Sequence, residues 1–182
     1  GGAAARYAEN LRNAGTVEQL EAVNRYVNRR VRFVEDQRQY GRGDVWSPAT
    51  QTLKLGRGDC EDFAIAKLQM LRQAGLSDRD LYLVIVKDLV SRRDHAVLVV
   101  RAAQRMFVLD NGTDRLLESE TIRDYRPILS FAANGVWTHG YRVGSAPVVL
   151  ASTEVRFGQP LPAAGGQRSR SASLRALESG LN

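Results

Sequence analysis

Three residues of this chain have the types and spacing for nucleophilic catalysis by a thiol. The single cysteine, Cys60, follows Gly58 and Asp59 and stands where a glycine-containing loop ends and a helix is predicted to begin. The positive end of a helix dipole favours the thiolate, which is the attacking form of cysteine. His95 and Asp110, downstream, are the residue types of a base and its orienting carboxylate. The sequence therefore predicts a Cys–His–Asp triad.

A predicted hairpin brings the base and the carboxylate together. The Val, Ile and Leu content of 95–102 and 106–110 predicts two strands joined by a tight turn. A turn centred between residues 102 and 103 places His95 opposite Asp110. A turn centred one residue later shifts the strand register by one pair. In either case both side chains lie at the same end of the hairpin.

Each candidate also has a structural interpretation. A free cysteine is usually a buried and inert small hydrophobe. His95 is compatible with a surface histidine at a strand end, and Asp110 with a turn residue before Asn111. The other histidine, His139, lies in a Gly-containing segment with no neighbouring carboxylate, so it is interpreted as a loop residue. The prediction of a triad therefore depends on all three residues occurring in one chain, and not on any one of them.

The surrounding elements predict an α+β fold in which the Cys60 helix packs on an antiparallel sheet. Helices are predicted for 3–14, for 60–74 and for a segment with a capping box at 16–19 and an apolar face from Val17 to Val31. Strands are predicted at 81–87, 95–102, 106–110 and 141–143, and a short helix at 119–125. Residues 36–52, which include Trp46, lack a clear period and are predicted to form a long ordered loop.

Composition predicts one domain and a tail. The 182 residues are 43% hydrophobic and 25% charged, as in soluble globular proteins, and no apolar run is long enough to span a membrane. The domain is predicted to cover 1–157. Residues 158–173 are rich in Gly, Pro, Ala, Ser and Arg, which is typical of a linker, and the leucines of 174–181 have the spacing of a small docking helix.

The charge argues against nucleic acid as the main partner. The net charge of +6 comes from scattered arginines, without a basic helix or aromatic-basic interleaving. Attraction to an acidic protein partner explains this charge more simply. A single cysteine forbids an internal disulfide, which suits a cytosolic protein and also an exported protein that keeps its thiol free.

The motifs around the triad resemble those of the bacterial transglutaminase-like cysteine proteinases, the LapG family. The resemblance is carried by the runs 58–67 (GDCEDFAIAK), 95–98 (HAVL) and 108–111 (VLDN), in that order, and extends over roughly Val17 to Tyr141. It implies a transglutaminase-like, papain-like fold. It also implies that Cys60 is the nucleophile, His95 the general base and acid, and Asp110 the orienting carboxylate.

The same resemblance implies a function, partners and a location. Such a protein is expected to be a calcium-dependent periplasmic cysteine endopeptidase that cleaves a large biofilm adhesin of the LapA type near a di-alanine site. Its regulator would be a LapD-type inner-membrane receptor for cyclic di-GMP. Residues 1–5 lack the basic and apolar regions of a signal peptide, and a removed signal is compatible with that.

The resemblance further implies that calcium is held by Asp59 and Glu61, with Asp62 as a weaker candidate. Calcium takes six to eight oxygen ligands, so carbonyls of the 36–52 loop would have to complete the shell. The alternative is that Asp59 is an N-cap while Glu61 and Asp62 are favourable acids in the first helical turn.

Two further features have open interpretations. Trp46 could add an indole N–H to the oxyanion hole begun by the Cys60 backbone N–H, or could pack on the core as a loop aromatic. The tail segment Pro162–Gly165 (PAAG) resembles the di-alanine motif expected in the adhesin substrate. The favoured interpretation is a linker of small residues.

Two other functions use the same fold. A transglutaminase would pass the acyl group from the thioester to a lysine amine instead of water, and a binding module would keep the fold without catalysis. The complete triad argues against the binding module.

Overall fold

The computed structural model describes residues 2–140, in which helices cover one face of a six-stranded antiparallel sheet. The helices are α1 (Ala3–Asn10), α2 (Thr16–Arg30), α3 (Asp36–Tyr40), α4 (Ala49–Leu55) and α5 (Cys60–Gln73). The strands are β1 (Arg32–Phe33), β2 (Arg57–Gly58), β3 (Leu81–Asp88), β4 (Asp94–Ala102), β5 (Arg105–Leu109), β6 (Leu117–Glu118), β7 (Tyr125–Ala132) and β8 (Gly135–Thr138).

The order of strands in the large sheet is β6-β5-β4-β3-β7-β8, and β1 pairs with β2 in a separate parallel ladder. Along each strand the side chains point alternately to the two faces of the sheet, and both faces carry apolar residues. One face packs against α5, which buries Phe63 and Leu71 against sheet residues such as Leu83 and Leu98. The opposite face carries a smaller cluster around Val97. The helix that begins with Cys60 is therefore fixed on the sheet by its apolar face.

The register of the β4–β5 hairpin is the later of the two predicted alternatives. Ala102 pairs with Arg105, so the turn is centred between Ala103 and Gln104, and both of these have positive φ (49° and 61°). Two positive φ values in a two-residue hairpin turn match the right-handed twist of the strands. His95 thus does not lie directly opposite Asp110, but both remain at the same end of the hairpin.

The 36–52 segment is not a long loop, because it contains α3 and begins α4. Residues 36–40 and 49–55 are too short to show a helical period, so the sequence pattern missed them. In α2 the capping box is also absent. Gly15 is the N-cap, and Gln19 instead donates to the carbonyls of Leu11 (2.8 Å) and Ala74 (3.2 Å). Val17, in the first turn of α2, is exposed.

The C-terminal part of the described chain contains more strand than the sequence predicts. Only Ser119–Thr121 of the expected short helix forms, as one 3-10 turn, and β7 and β8 follow it. The predicted strand at 141–143, the boundary at 157 and the tail lie outside the described residues. Within residues 2–140, no helix has the length and apolar character needed to cross a membrane.

Candidate active site

Cys60 is the first residue of α5, and only Asp59 separates it from β2. Asp59 is the N-cap, and its Oδ1 accepts a hydrogen bond from the Asp62 backbone N–H at 3.5 Å. The Cys60 thiol donates to Glu61 Oε2 at 3.0 Å. It also receives the backbone N–H of Ala96. Burial raises the pKa of this thiol, the charges of Glu61 and Asp59 raise it further, and the Ala96 N–H opposes them.

The predicted base and carboxylate are hydrogen-bonded. His95 Nε2 lies 3.0 Å from Asp110 Oδ1. Asp110 follows β5 and also accepts from the Gly112 N–H at 2.8 Å and the Tyr125 hydroxyl at 2.7 Å. Burial alone would raise the pKa of Asp110. The hydrogen bonds and the neighbouring imidazole outweigh it and lower that pKa to about 2.

The backbone at the start of β4 links the thiol to the residue that carries the imidazole. The Ala96 N–H that faces Cys60 belongs to the residue after His95. Because Asp110 engages Nε2, the role of a base would fall to the Nδ1 atom of His95. A carboxylate on one ring nitrogen fixes the tautomer that makes the other a base. The arrangement can therefore support attack by Cys60 on an acyl carbon.

Three carboxylates form a second group, the acid cluster, beside the nucleophile. Asp36, Asp59 and Asp62 each offer an oxygen, and these oxygens lie within 4.8 Å of one another. The Val45 N–H donates to Asp36, and the Ser47 N–H donates to Asp62 at 2.8 Å. One further oxygen of Asp36 and one of Asp62 are buried without a hydrogen-bond partner among residues 2–140.

Burial and mutual repulsion dominate the electrostatics of the acid cluster. Burial first, and then the charges of Glu61, Asp36 and Asp62, raise the pKa of Asp59 to about 9. Burial and neighbouring acids raise the pKa of Asp62 to about 7, and burial raises that of Asp36. Buried carboxylate oxygens without donors are the hard ligands that calcium prefers, so the acid cluster fits this ion.

The acid cluster differs from the predicted ligand set in one member. Asp59 and Asp62 are in it, whereas Asp36 was not expected from the sequence, because only carbonyls were anticipated from the 36–52 segment. Glu61 lies between the cluster and the thiol, since it hydrogen-bonds with both Asp59 and Cys60. Its role as a calcium ligand stays a prediction. The alternative role of Asp59 as an N-cap is confirmed, and its carboxylate also belongs to the acid cluster.

Gly58 allows the acid cluster to pack against β2. A Cβ at this position would lie 2.6 Å from Asp62 Cβ, which is closer than real carbons approach. The glycine before the cysteine motif thus leaves room for the Asp62 carboxylate.

Trp46 packs in the core of the site. It is buried, its ring meets Phe131 edge to face at 5.4 Å, and its indole N–H donates to Asp44 at 2.8 Å. This position agrees with the core-aromatic interpretation, and an oxyanion role for the indole stays a prediction.

Two residues that contact Asp110 are not among the predicted site residues. Tyr125, the first residue of β7, reaches Asp110 and also places its ring 5.7 Å from the His95 ring. Asn28 on α2 donates to the Asp110 carbonyl at 2.9 Å. Both contacts depend on tertiary structure, because these residues are 15 and 82 positions from Asp110.

Comparison with known proteins decides the family. The sequence profile of the bacterial transglutaminase-like cysteine proteinases matches residues 3–139, which include Cys60, His95 and Asp110. The chain belongs to this family. The resemblance to LapG proteins is thereby confirmed, and so is the α+β fold in which the cysteine helix packs on an antiparallel sheet.

Solved structures of LapG from Legionella pneumophila share this fold. One is 27% identical, with a TM-score of 0.66, over 73% of this chain and 74% of that one. A calcium-bound structure has the same identity and coverage and a TM-score of 0.67. An EGTA-treated structure is 22% identical and has a TM-score of 0.72 over 96% of this chain and 84% of that one. Among curated proteins, none matches the chain.

Proposed function

We propose that this LapG-family protein is a calcium-dependent cysteine endopeptidase with Cys60, His95 and Asp110 as its catalytic residues. The observation that carries the proposal is the 3.0 Å contact of His95 with Asp110 at the start of β4, where the Ala96 N–H also meets the Cys60 thiol. A nucleophile, a base and an orienting carboxylate are thus assembled from three elements of one fold.

The proposed reaction has two stages. His95 Nδ1 takes the Cys60 proton as sulfur bonds to the peptide carbonyl carbon, and the imidazolium then protonates the departing amine as the C–N bond breaks. Water, deprotonated by His95, attacks the thioester and releases the acid, and the proton returns to Cys60. Asp110 holds the imidazole and stabilises its charged form throughout. The backbone N–H of Cys60 stabilises the oxyanion, and Trp46 is the candidate second donor.

The calcium ligands proposed for this chain are Asp36, Asp59 and Asp62, with Glu61 at the edge of the cluster. The calcium-bound and EGTA-treated LapG structures support a calcium site in this family member. When bound, the ion would supply positive charge that offsets the carboxylates next to the nucleophile. The chain's own contribution is to hold Asp36 and Asp62 by the Val45 and Ser47 N–H groups.

The proposed substrate is a LapA-type adhesin cut near a di-alanine site, in the periplasm, under control of a LapD-type receptor. The motif resemblance and the family membership support this assignment. The net charge of +6 is suited to acidic protein partners.

Incubation with an adhesin segment that contains a di-alanine site tests this function. With calcium, we expect two shorter products whose masses add up to the substrate plus one water, and none with Cys60→Ala. Chelation of calcium should stop the cleavage and calcium should restore it. A product of higher mass that includes an added amine donor would favour acyl transfer, and an uncut segment in all conditions would contradict the endopeptidase.

A further inference from the structure

A lysine is buried in the helix that carries the nucleophile. The Lys67 side chain is fully buried, and its Nζ has no hydrogen-bond partner among residues 2–140. An ammonium group loses several kcal/mol of hydration in such a place unless other charges compensate. The ring of Phe63, 5.8 Å from Nζ, supplies only a weak cation–π attraction. Negative groups close to Nζ are therefore needed to keep this side chain charged.

The compensating charges belong to the turn that carries the catalytic carboxylate. Asp110 and Asp114, at the two ends of the 110–114 turn, interact electrostatically with Lys67. Burial lowers the pKa of Lys67 to about 7, and both carboxylates act in the opposite direction. The lysine thus experiences the field of the orienting residue of the triad.

The supports of this turn have unpaired acceptors. Asn24 donates to the Thr113 carbonyl, and Asn28 donates to the carbonyls of Asp110 and Thr113, all at 2.9 Å. The side-chain oxygens of Asn24, Asn28 and Asn111 are buried and lack partners within the described chain. The unpaired Nζ of Lys67 is a donor and these three oxygens are acceptors, so each has hydrogen-bonding capacity that the described chain leaves unused.

Lys67 and Cys60 lie on the same side of α5. They are seven residues apart, which is about two helical turns and about 10 Å along the axis. We propose that Lys67 is a positioning residue of the triad, whose ammonium couples the nucleophile helix to the 110–114 turn and so keeps Asp110 directed at His95. This proposal rests on the proposed function, and its test includes a measurement that needs no substrate.

Lys67→Met removes the charge and keeps the length and apolar volume of the side chain. We expect kcat on the adhesin segment to fall by about 10- to 100-fold, because small misplacements of catalytic groups have effects of this size. KM should stay unchanged, and the melting temperature should stay within a few degrees. Lys67→Gln, which keeps a neutral donor, should fall between Met and the wild type. Lys54→Met, at an exposed lysine, is the control and should retain kcat.

The substrate-free readout is the NMR signal of the His95 Nε2 proton, which exchanges slowly while Asp110 accepts it. Lys67→Met should weaken or abolish this signal, and Lys54→Met should preserve it. Loss of the signal in a protein that cuts no adhesin would uphold the positioning role and contradict only the proposed function. A retained signal, or a lower melting temperature with unchanged kcat, would overturn the positioning role.

Discussion

Two groups of carboxylates in this protein have opposite surroundings. Asp110 accepts hydrogen bonds from three donors of the chain, and its pKa is lowered to about 2. In the acid cluster, burial and repulsion raise the pKa of Asp59 to about 9, and two buried oxygens lack partners in the part of the chain that the structure describes. Within residues 2–140, hydrogen bonds compensate the charge of Asp110, whereas the acid cluster has few such donors and would be stabilised by a bound cation. This difference is the one expected between the proposed catalytic carboxylate and the proposed calcium site.

The comparison predicts the largest effect for removal of the Asp110 charge. In Asp110→Asn the amide no longer fixes the productive His95 tautomer, so kcat should fall by roughly 10³- to 10⁴-fold with KM little changed. Steady-state cleavage of the adhesin segment measures this effect. Asp124→Asn, at an exposed acid next to Tyr125, is the matched control. Near-normal kcat in Asp110→Asn would mean that the carboxylate does not orient the base.

In the acid cluster, removal of one charge should raise the stability of the calcium-free protein. Calcium at about 100 times its dissociation constant should stabilise the wild type by about 2.7 kcal/mol. Asp36→Asn should lose most of this gain but melt at a higher temperature than the wild type in EGTA, because one repelling charge is gone. Thermal unfolding with and without calcium measures both effects.

Glu35→Gln is the control for the acid cluster, since Glu35 neighbours Asp36 but pairs with Arg93 at the surface. It should keep the calcium response. If Asp36→Asn also kept the full response, Asp36 would not be a ligand.

Acid unfolding tests the completeness of the Asp110 site. Its folded pKa of about 2 lies below the value of about 3.9 in an unfolded chain. The carboxylate therefore contributes stability above pH 4, about 2 kcal/mol, which is lost as the pH falls from about 4 to about 2. Asp110→Asn should remove this part of the pH dependence. Urea unfolding at pH 5, 4 and 3 measures it, and an unchanged slope would contradict the assignment.

The sequence was sufficient to predict the part of the site that local order encodes. A cysteine at a helix start and a His and an Asp at one end of a hairpin follow from periodicity and turn position. The sequence predicts the hairpin register only as two alternatives. Ala103 and Gln104 have positive φ, but they are not the Asn, Asp or Gly residues that usually indicate such a turn.

Long-range partners could not be predicted in this way. Asp36 joins Asp59 and Asp62 only because α3, absent from the predicted elements, brings it against β2 and α5. Tyr125 reaches Asp110 from β7, a strand that β3 and β4 separate from β5. Such contacts depend on the order of strands in the sheet, which one sequence does not specify.

The smallest predicted effect concerns that contact of Tyr125. Tyr125→Phe removes the hydroxyl on Asp110 Oδ2 but keeps the ring beside His95. A hydrogen bond to a charged group contributes about 1.5–3 kcal/mol, and His95 and Gly112 still hold the other oxygen. We therefore expect kcat to fall by about tenfold without a change in KM.

Tyr82→Phe is the matched control, because it also removes a single hydroxyl hydrogen bond, to the Arg79 carbonyl, at an exposed place on the same sheet. It should leave kcat unchanged. Equal losses in the two variants would indicate a general effect on sheet stability. A loss confined to Tyr125→Phe would show that completing the donor set of Asp110 matters for turnover.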